Sequence, residues 1–410
     1  AGTEGLAREM KNADPSDPMG KVTVRAPVHG HSLVLSLDTE LQAICERELV
    51  SAVEKYKSKS GSVLILDPHT GDVLAAASFP VLPTRRTTKW PEGTWNNRNF
   101  SFQYEPGSVS KIFTMASLLR NSAVDTATVF YSDKVPGDGI YVRNDRNHKY
   151  GFLSLMEAFT LSSNVYFAKA VGNLTEEELY RDLTDFGFGQ ATSMPYKGQQ
   201  SGSLMGVEQW SKRSLQTLAI GQEYSATALQ VGLAVCSVAN GGKLYAPRMV
   251  REIRDAKGGV LDTVEPTPLR RIMSPQLAEV LREAMGRVVL EGTGQGAGMD
   301  WITTGGKTGT AQKSVDGKGY THGAYIASFA GIVPLENPRL VILTILDEPE
   351  GIYHYAAQSA VPLYASIIRD IRRSTDWLTD VPGARTSPFT PRDRRELVAV
   401  PDVLHLTAGR

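Results

Sequence analysis

Apolar runs of strand length sit near both ends of the sequence. SVLILDPHTGDVLAAAS, at 62–78, reads as two strands joined by Asp-Pro and Thr-Gly-Asp, a hairpin signal. The same period returns only much later, where WITTGGKTGTAQK, AYIASFAGIVP and RLVILTILDEP read as three strands with turn residues between them. Between these ends, from 108 to about 300, the patterns are mostly helical and separated by Gly-rich turns. Examples are TEEELYRDLTDFGFG, with Thr175 and Glu178 as a capping box, and TALQVGLAVCSVANGG, stopped by Gly241 and Gly242. A helix pattern over DTELQAICERELVSAVEKY, with Leu41, Ile44, Cys45, Leu49 and Val53 on one face, precedes the hairpin. Another, AAQSAVPLYASIIRDIRR, closes the series. The expectation is an α/β (α+β) fold: one antiparallel sheet of five strands, completed from both ends of the chain and flanked by helices, with a mostly helical subdomain inserted.

With 410 residues, 41% of them apolar, the chain can build proper cores, and 44 basic residues balance 44 acidic ones. Nothing in that balance points to a nucleic-acid partner. Cys45 and Cys236 lie far apart in apolar helical stretches, which predicts two buried free thiols rather than a disulfide or metal framework. The strongest apolar run, LVILTIL, has strand length, and AGTEGLAREM lacks the apolar core of an export signal. An export or anchoring segment is therefore either absent or not included. Residues 1–33 read as an extended leader or a piece of a preceding domain, 34–374 as the main domain, and the Pro-, Thr-, Asp- and Arg-rich stretch 375–396 as a linker.

Three short motifs, each occurring once and in this order, carry the chemistry. Ser-x-x-Lys (Ser108, Lys111) lies in YEPGSVSKIF at the mouth of an apolar helix, where i and i+3 side chains share a face. Ser-x-Asn (Ser162, Asn164) lies in the turn-prone LSSNVY, and Lys-Thr-Gly (Lys307, Thr308, Gly309) lies on a strand between glycines. A serine hydroxyl needs a neighbouring base, and a lysine serves as one only when burial or another cation destabilises its ammonium. Lys307 supplies such a cation and also attracts a substrate carboxylate. Ser162 can pass a proton between Lys111 and a leaving nitrogen, and the Asn164 amide can hold a substrate amide. Gly305, Gly306 and Gly309 remove side chains where another backbone must approach. Thr308 and Thr310 can bond a terminal carboxylate, and the backbone N–H groups of Ser108 and Thr310 are assigned to an oxyanion hole. The bland alternative makes Ser108 a helix cap, Lys111 a surface lysine, Ser162 and Asn164 turn formers and GGKTGT a phosphate nest. The last fails the P-loop spacing, which requires glycine where Trp301 stands.

From about Leu33 to Arg373 the sequence resembles the class B penicillin-binding proteins, serine D,D-transpeptidases that cross-link peptidoglycan. LSLDTELQ, LDPHTGDVLAAASFP, NRNFSFQYEPGSVSKIFT, LSSNVYFAK, GGKTGTAQK and ASFAGIVP follow in the family's order. The resemblance implies the penicillin-binding/serine β-lactamase-like transpeptidase fold, with Ser108 as acylated nucleophile, Lys111 as base and Ser162 as proton shuttle. It implies Asn164 as substrate holder, and Lys307, Thr308, Gly309 and Thr310 as the carboxylate and oxyanion strand. It further implies peptidoglycan stem peptides ending in D-Ala-D-Ala as substrate, β-lactams as covalent inhibitors, no metal or organic cofactor, and partners among division-complex proteins and a lipid-linked glycan polymerase. YEPGS and the Asn of SSN are more like the division or sporulation type than the elongation type. Residues 1–33 resemble a remnant of the family's N-terminal pedestal, and LVAVPDVLHLTAG, from about 397, resembles the start of a PASTA module. The expected location is the extracytoplasmic, periplasmic face of the bacterial membrane, anchored by a helix missing from this sequence.

One departure is YHYAAQ at 353–358, where the family often has Tyr-Gly-Gly-Gln; His354 there reads as a surface or packing residue. Rival functions share the scaffold. A β-lactamase needs a second base, and between the second and third motifs no Glu is followed by Asn four residues later. A β-lactam sensor, a D,D-carboxypeptidase or an endopeptidase shares the acylating serine, and a non-catalytic division scaffold would be expected to have lost a motif residue.

Overall fold

The computed structural model describes residues 6–9, 21–25, 30–81, 96–315 and 319–379. The expected linker falls almost wholly outside them, as does the PASTA-like segment; of the leader, 6–9, 21–25 and the last few residues are described.

The sheet is closed from both ends of the chain. Its strands are β1 (Ser60–Leu66), β2 (Val73–Phe79), β3 (Gly305–Val315), β4 (Gly319–Val333) and β5 (Leu340–Asp347), in the spatial order β3-β4-β5-β1-β2 and antiparallel throughout. The seam between the two ends is the β5–β1 pairing, with Leu343 opposite Leu64. Both seam strands are buried along their whole length, because helices cover both faces. Val63, Ile65 and Leu74 pack against α1 (Thr39–Tyr56) and α5 (Ala360–Ser374), while Leu64, Leu66 and Val73 pack against α4 (Ala228–Ala239). This two-sided cover explains why the runs read as continuously apolar instead of alternating.

Local signals act where the sequence puts them. Asp38 caps α1 by accepting from the Glu40 and Leu41 amides, and the expected face of Leu41, Ile44, Cys45, Leu49 and Val53 is buried. Thr175–Glu178 and Thr227–Gln230 both form capping boxes. Beyond α4, Gly242 has φ +103, and a Cβ there would lie 2.1 Å from the Met273 carbonyl oxygen. Cys45 and Cys236 are free and buried, and burial pushes both thiols up.

The region 108–300 also holds small antiparallel ribbons that helix patterns alone do not announce. Val129–Tyr131 pairs with Phe152–Ser154, Lys243–Tyr245 with Pro268–Arg271, and Val250–Arg254 with Val260–Thr263. Ser32–Leu35 adds to the last of these, so pairing runs across the boundary drawn at 33. Asp72, fully buried at the hairpin turn, ties this ribbon to the sheet through Arg248 and Arg251.

Candidate active site

Gly107 turns the chain at φ +54 into a single 3-10 turn, Gly107–Ser110, which runs into α2 (Lys111–Arg120). At three residues per turn the side chains at i and i+3 eclipse. Ser108 Oγ therefore comes 3.1 Å from Lys111 Nζ. The residue that precedes α2 is Ser110, whose hydroxyl bonds Tyr224 instead of capping the helix. Lys111 is fully buried, so the capping-serine and surface-lysine alternative fails.

The second motif sits at a break between two helices. Leu155–Thr160 ends, Ser162 turns at φ +61, and Ser163 caps α3 (Asn164–Ala170) by accepting from the Tyr166 amide. This aims Ser162 Oγ between two lysines, 3.2 Å from Lys111 Nζ and 2.9 Å from Lys307 Nζ. Lys111 Nζ also lies 2.7 Å from the Ser162 carbonyl oxygen and 2.6 Å from Asn164 Oδ1. Those last two atoms only accept. A neutral amine that donates its two hydrogens to them has its lone pair free for a serine hydroxyl.

Electrostatics favour that neutral amine. Burial pushes Lys111 well below the ordinary lysine value, the Lys307 charge pushes it further, and Asp145 opposes both. The sequence named Lys307 as the perturbing cation; desolvation is the larger cause. Lys307 is itself fully buried and lowered to about 7 by desolvation.

The third motif is held on β3, an edge strand that lies beside the Ser108 turn. A Cβ on Gly309 would stand 2.8 Å from the Pro106 carbonyl oxygen, so glycine here lets the strand approach the nucleophile's turn. At Gly306 the close neighbour is a ring: a Cβ would lie 2.2 Å from Phe329 Cζ. Thr308 Oγ1 pairs with Thr293 Oγ1 at 2.7 Å, and Thr310 Oγ1 accepts from the Ala356 amide at 3.2 Å.

All three motifs line one cleft of about 660 Å³, with Ser108, Ser162, Asn164, Thr308 and Thr310 on its walls. The cleft also recruits residues without a sequence signature. Arg146, in a left-handed conformation, lays its guanidinium 4.0 Å from the centre of the Tyr355 ring. His354 is half-buried and stacks on Tyr325 at 4.5 Å between ring centres, a packing role at the cleft wall. Asn144 is the least expected participant. Its Oδ1 accepts from Ser163 Oγ and the Val165 amide, and its Nδ2 donates to the carbonyls of Ser132 and His148. Asn164 Nδ2 in turn donates to the Arg143 carbonyl at 2.9 Å, which fixes the amide so that Oδ1 faces Lys111.

The arrangement is that of a serine acyl-transfer site: a hydroxyl on a turn, a buried amine beside it, a second hydroxyl bridging to a second amine, and a strand carrying hydroxyls along the cleft. Comparison with known proteins agrees. The profile of the penicillin binding protein transpeptidase domain matches residues 61–369. Stage V sporulation protein D of Bacillus subtilis is 32% identical over 84% of this chain and 54% of its own length. Penicillin-binding protein PbpB of Mycolicibacterium smegmatis is 31% identical over 90% of this chain and 58% of its own length. The chain thus spans little more than half of these relatives. Among solved structures, penicillin binding protein 3 from Mycobacterium tuberculosis, complexed with aztreonam, superposes with a TM-score of 0.78 at 28% identity, over 95% of this chain and 85% of that one. The transpeptidase domain of penicillin-binding protein 3 from Burkholderia pseudomallei superposes at 0.71 with 28% identity, over 85% of this chain and 98% of that one.

Proposed function

The chain belongs to the penicillin-binding protein transpeptidase family, and from that membership we propose that it is a serine D,D-transpeptidase that cross-links peptidoglycan stem peptides through an acyl-enzyme. The observation that carries this reading is the continuous line Ser108, Lys111, Ser162, Lys307, with every step between 2.9 and 3.2 Å.

Ser108 Oγ attacks the penultimate D-Ala carbonyl as its proton passes to neutral Lys111. The oxyanion is met by the Ser108 and Thr310 backbone N–H groups, and Lys307, Thr308 and Thr310 hold the terminal carboxylate. Ser162 relays the proton to the leaving nitrogen, the peptide bond breaks, and D-Ala departs. An amine from a neighbouring strand then attacks the ester, the new amide forms, and the proton returns to Ser108. Asn164, besides holding a substrate amide, keeps the Lys111 lone pair pointed at the serines. β-Lactams acylate Ser108 in the same way, a reading supported by the likeness to a chain complexed with aztreonam.

The wider setting belongs to the same proposal: septal cell-wall synthesis on the extracytoplasmic face of the membrane, beside division-complex proteins and a lipid-linked glycan polymerase. No helix among the described residues is long and apolar enough to cross a membrane. Residues 1–33 are proposed as a pedestal remnant, 375–396 as a linker and 397–410 as the start of a PASTA-like module.

Intact-mass spectrometry after mixing with benzylpenicillin, beside Ser108→Ala, tests the reading. A stable one-to-one adduct that the variant lacks is expected. Rapid loss of the adduct with drug turnover would indicate a hydrolase, and no adduct on the parent chain would overturn acyl transfer.

A further inference from the structure

A recess of about 400 Å³ opens at the C-terminal end of α5, between Met299, Asp300 and Trp301 on one side and Arg369, Arg372 and Arg373 on the other. It shares no lining residue with the Ser108 cleft. The three arginines stand at i, i+3 and i+4, so they share one face of α5 within about one turn. Like charges at that spacing weaken a helix. The helix dipole offsets the cost at Arg372 and Arg373, which lie in the last turn, but Arg369 stands before it.

Nearby carboxylates do not cancel the cluster. Asp370 lies 2.5 Å from Arg47 on α1 and 3.5 Å from Arg373, so two guanidinium groups share one acid. Asp300 is the one carboxylate that lines the recess among the described residues, and Arg369 and Arg372 form no ion pair among them. The Arg372 guanidinium lies instead 4.1 Å from the centre of the Trp301 ring, a cation–π contact. That ring is fixed: Met299 and Ile302 bridge across the turn that carries it, Thr304 Oγ1 donates to the Ala297 carbonyl, and Met299 and Trp301 pack on the core beneath α1 and α5. A guanidinium stacked by its face keeps its N–H edge for an incoming carboxylate.

We propose that this recess is a docking site for an acidic peptide segment of a partner protein, whose carboxylates pair with the three guanidinium forks. The inference is independent of acyl transfer. Three cations within one helical turn match carboxylates that follow closely along one chain. A bilayer surface is a poorer match, because none of the exposed large apolar side chains among the described residues lines the recess, which leaves nothing there to insert among lipids.

The test is fluorescence anisotropy of the whole chain with a labelled peptide that alternates glutamate and phenylalanine, beside the same peptide with glutamine for glutamate, both at low salt. The acidic probe should bind about tenfold more tightly, as expected for several partly exposed charge pairs, and the preference should shrink as salt is added. Arg369→Gln, Arg372→Gln and Arg373→Gln together should bring the ratio close to one, whereas Lys at all three positions should keep part of it. Thermal melts and penicillin acylation of the triple Gln variant should match the parent, which separates loss of docking from loss of the fold. Equal binding of the two peptides, no binding of the acidic one, or a preference that survives the triple change would each overturn the site. Phosphatidylglycerol vesicles that hold the parent more tightly than the acidic peptide does, and release the triple variant, would overturn it in favour of a membrane surface.

Discussion

Lys111 and Lys307 converge on a single hydroxyl: Ser162 Oγ lies 3.2 Å from the first amine and 2.9 Å from the second. Two full ammonium charges so close, both buried, repel each other and lose hydration. The pair is tolerable only if at least one amine gives up its proton easily, which is what a base beside Ser108 requires.

Lys307 attracts a carboxylate only while protonated, and burial lowers it to about 7. Its charge is present below that value and lost as pH rises through it. Lys111, pushed well below the ordinary lysine range by burial and by the Lys307 charge, gives up its proton more easily than a free lysine. Second-order acylation by benzylpenicillin should therefore decline as pH rises above about 7. Lys307→Arg should move that decline out of the working range, because arginine stays charged. A parent profile that climbs steadily into the alkaline range would remove the Lys307 charge from the mechanism.

The same burial costs stability. The folded pKa of Lys307, about 7, lies below that of an unfolded lysine, so between the two values the unfolded state binds more protons and stability rises with pH. Below the folded value the penalty is complete. Lys307→Met should stabilise the protein by on the order of 1–3 kcal/mol near neutral pH and by less in alkali, while acylation is lost. Thermal melts at acidic and alkaline pH, set beside the parent, check both the sign and its pH dependence.

Gly309→Ala should separate activity from folding. The added Cβ meets the Pro106 carbonyl at 2.8 Å and Val109 Cγ2 at 2.9 Å, so the turn carrying Ser108 must shift away from the strand. Because displacement of a reacting group by about 1 Å can cost roughly a hundredfold, the acylation rate should fall by about that factor. Stopped-flow acylation, with circular dichroism as the folding control, measures it. An unchanged rate would mean that the turn and strand are not registered for catalysis.

Asn144→Ala should damage both. Four bonds, three of them buried and one partly so, converge on this side chain, and removing it leaves Ser163 Oγ and the Val165 amide without the acceptor they share. The expected cost is about 2–4 kcal/mol in denaturant unfolding. The Arg143 loop that orients Asn164 loosens as well, so the acylation rate of the folded fraction should drop. A variant with parent stability would show that Asn144 does not anchor the loop.

Much of this was legible in the residues. The capping box at Thr175, the hairpin at 62–78 and the late strands rest on local patterns, and those patterns folded as read. The three motifs were legible because Ser-x-x-Lys, Ser-x-Asn and Lys-Thr-Gly demand different local contexts, and each stands in its own. Asn144 was not legible, since an asparagine in a polar loop looks the same whether it faces solvent or anchors a motif 20 residues on. Neither was the order of causes at Lys111, because desolvation depends on what covers a side chain.

The sequence by itself determined the chemistry available: which serine, which two lysines, which strand, and a sheet to be closed from both ends. Only the tertiary structure decided that both lysines are stripped of water and that Ser162 lies between them. Local pattern is written in neighbours along the chain, whereas burial and charge environment are set by groups that the sheet brings together from positions up to two hundred residues apart.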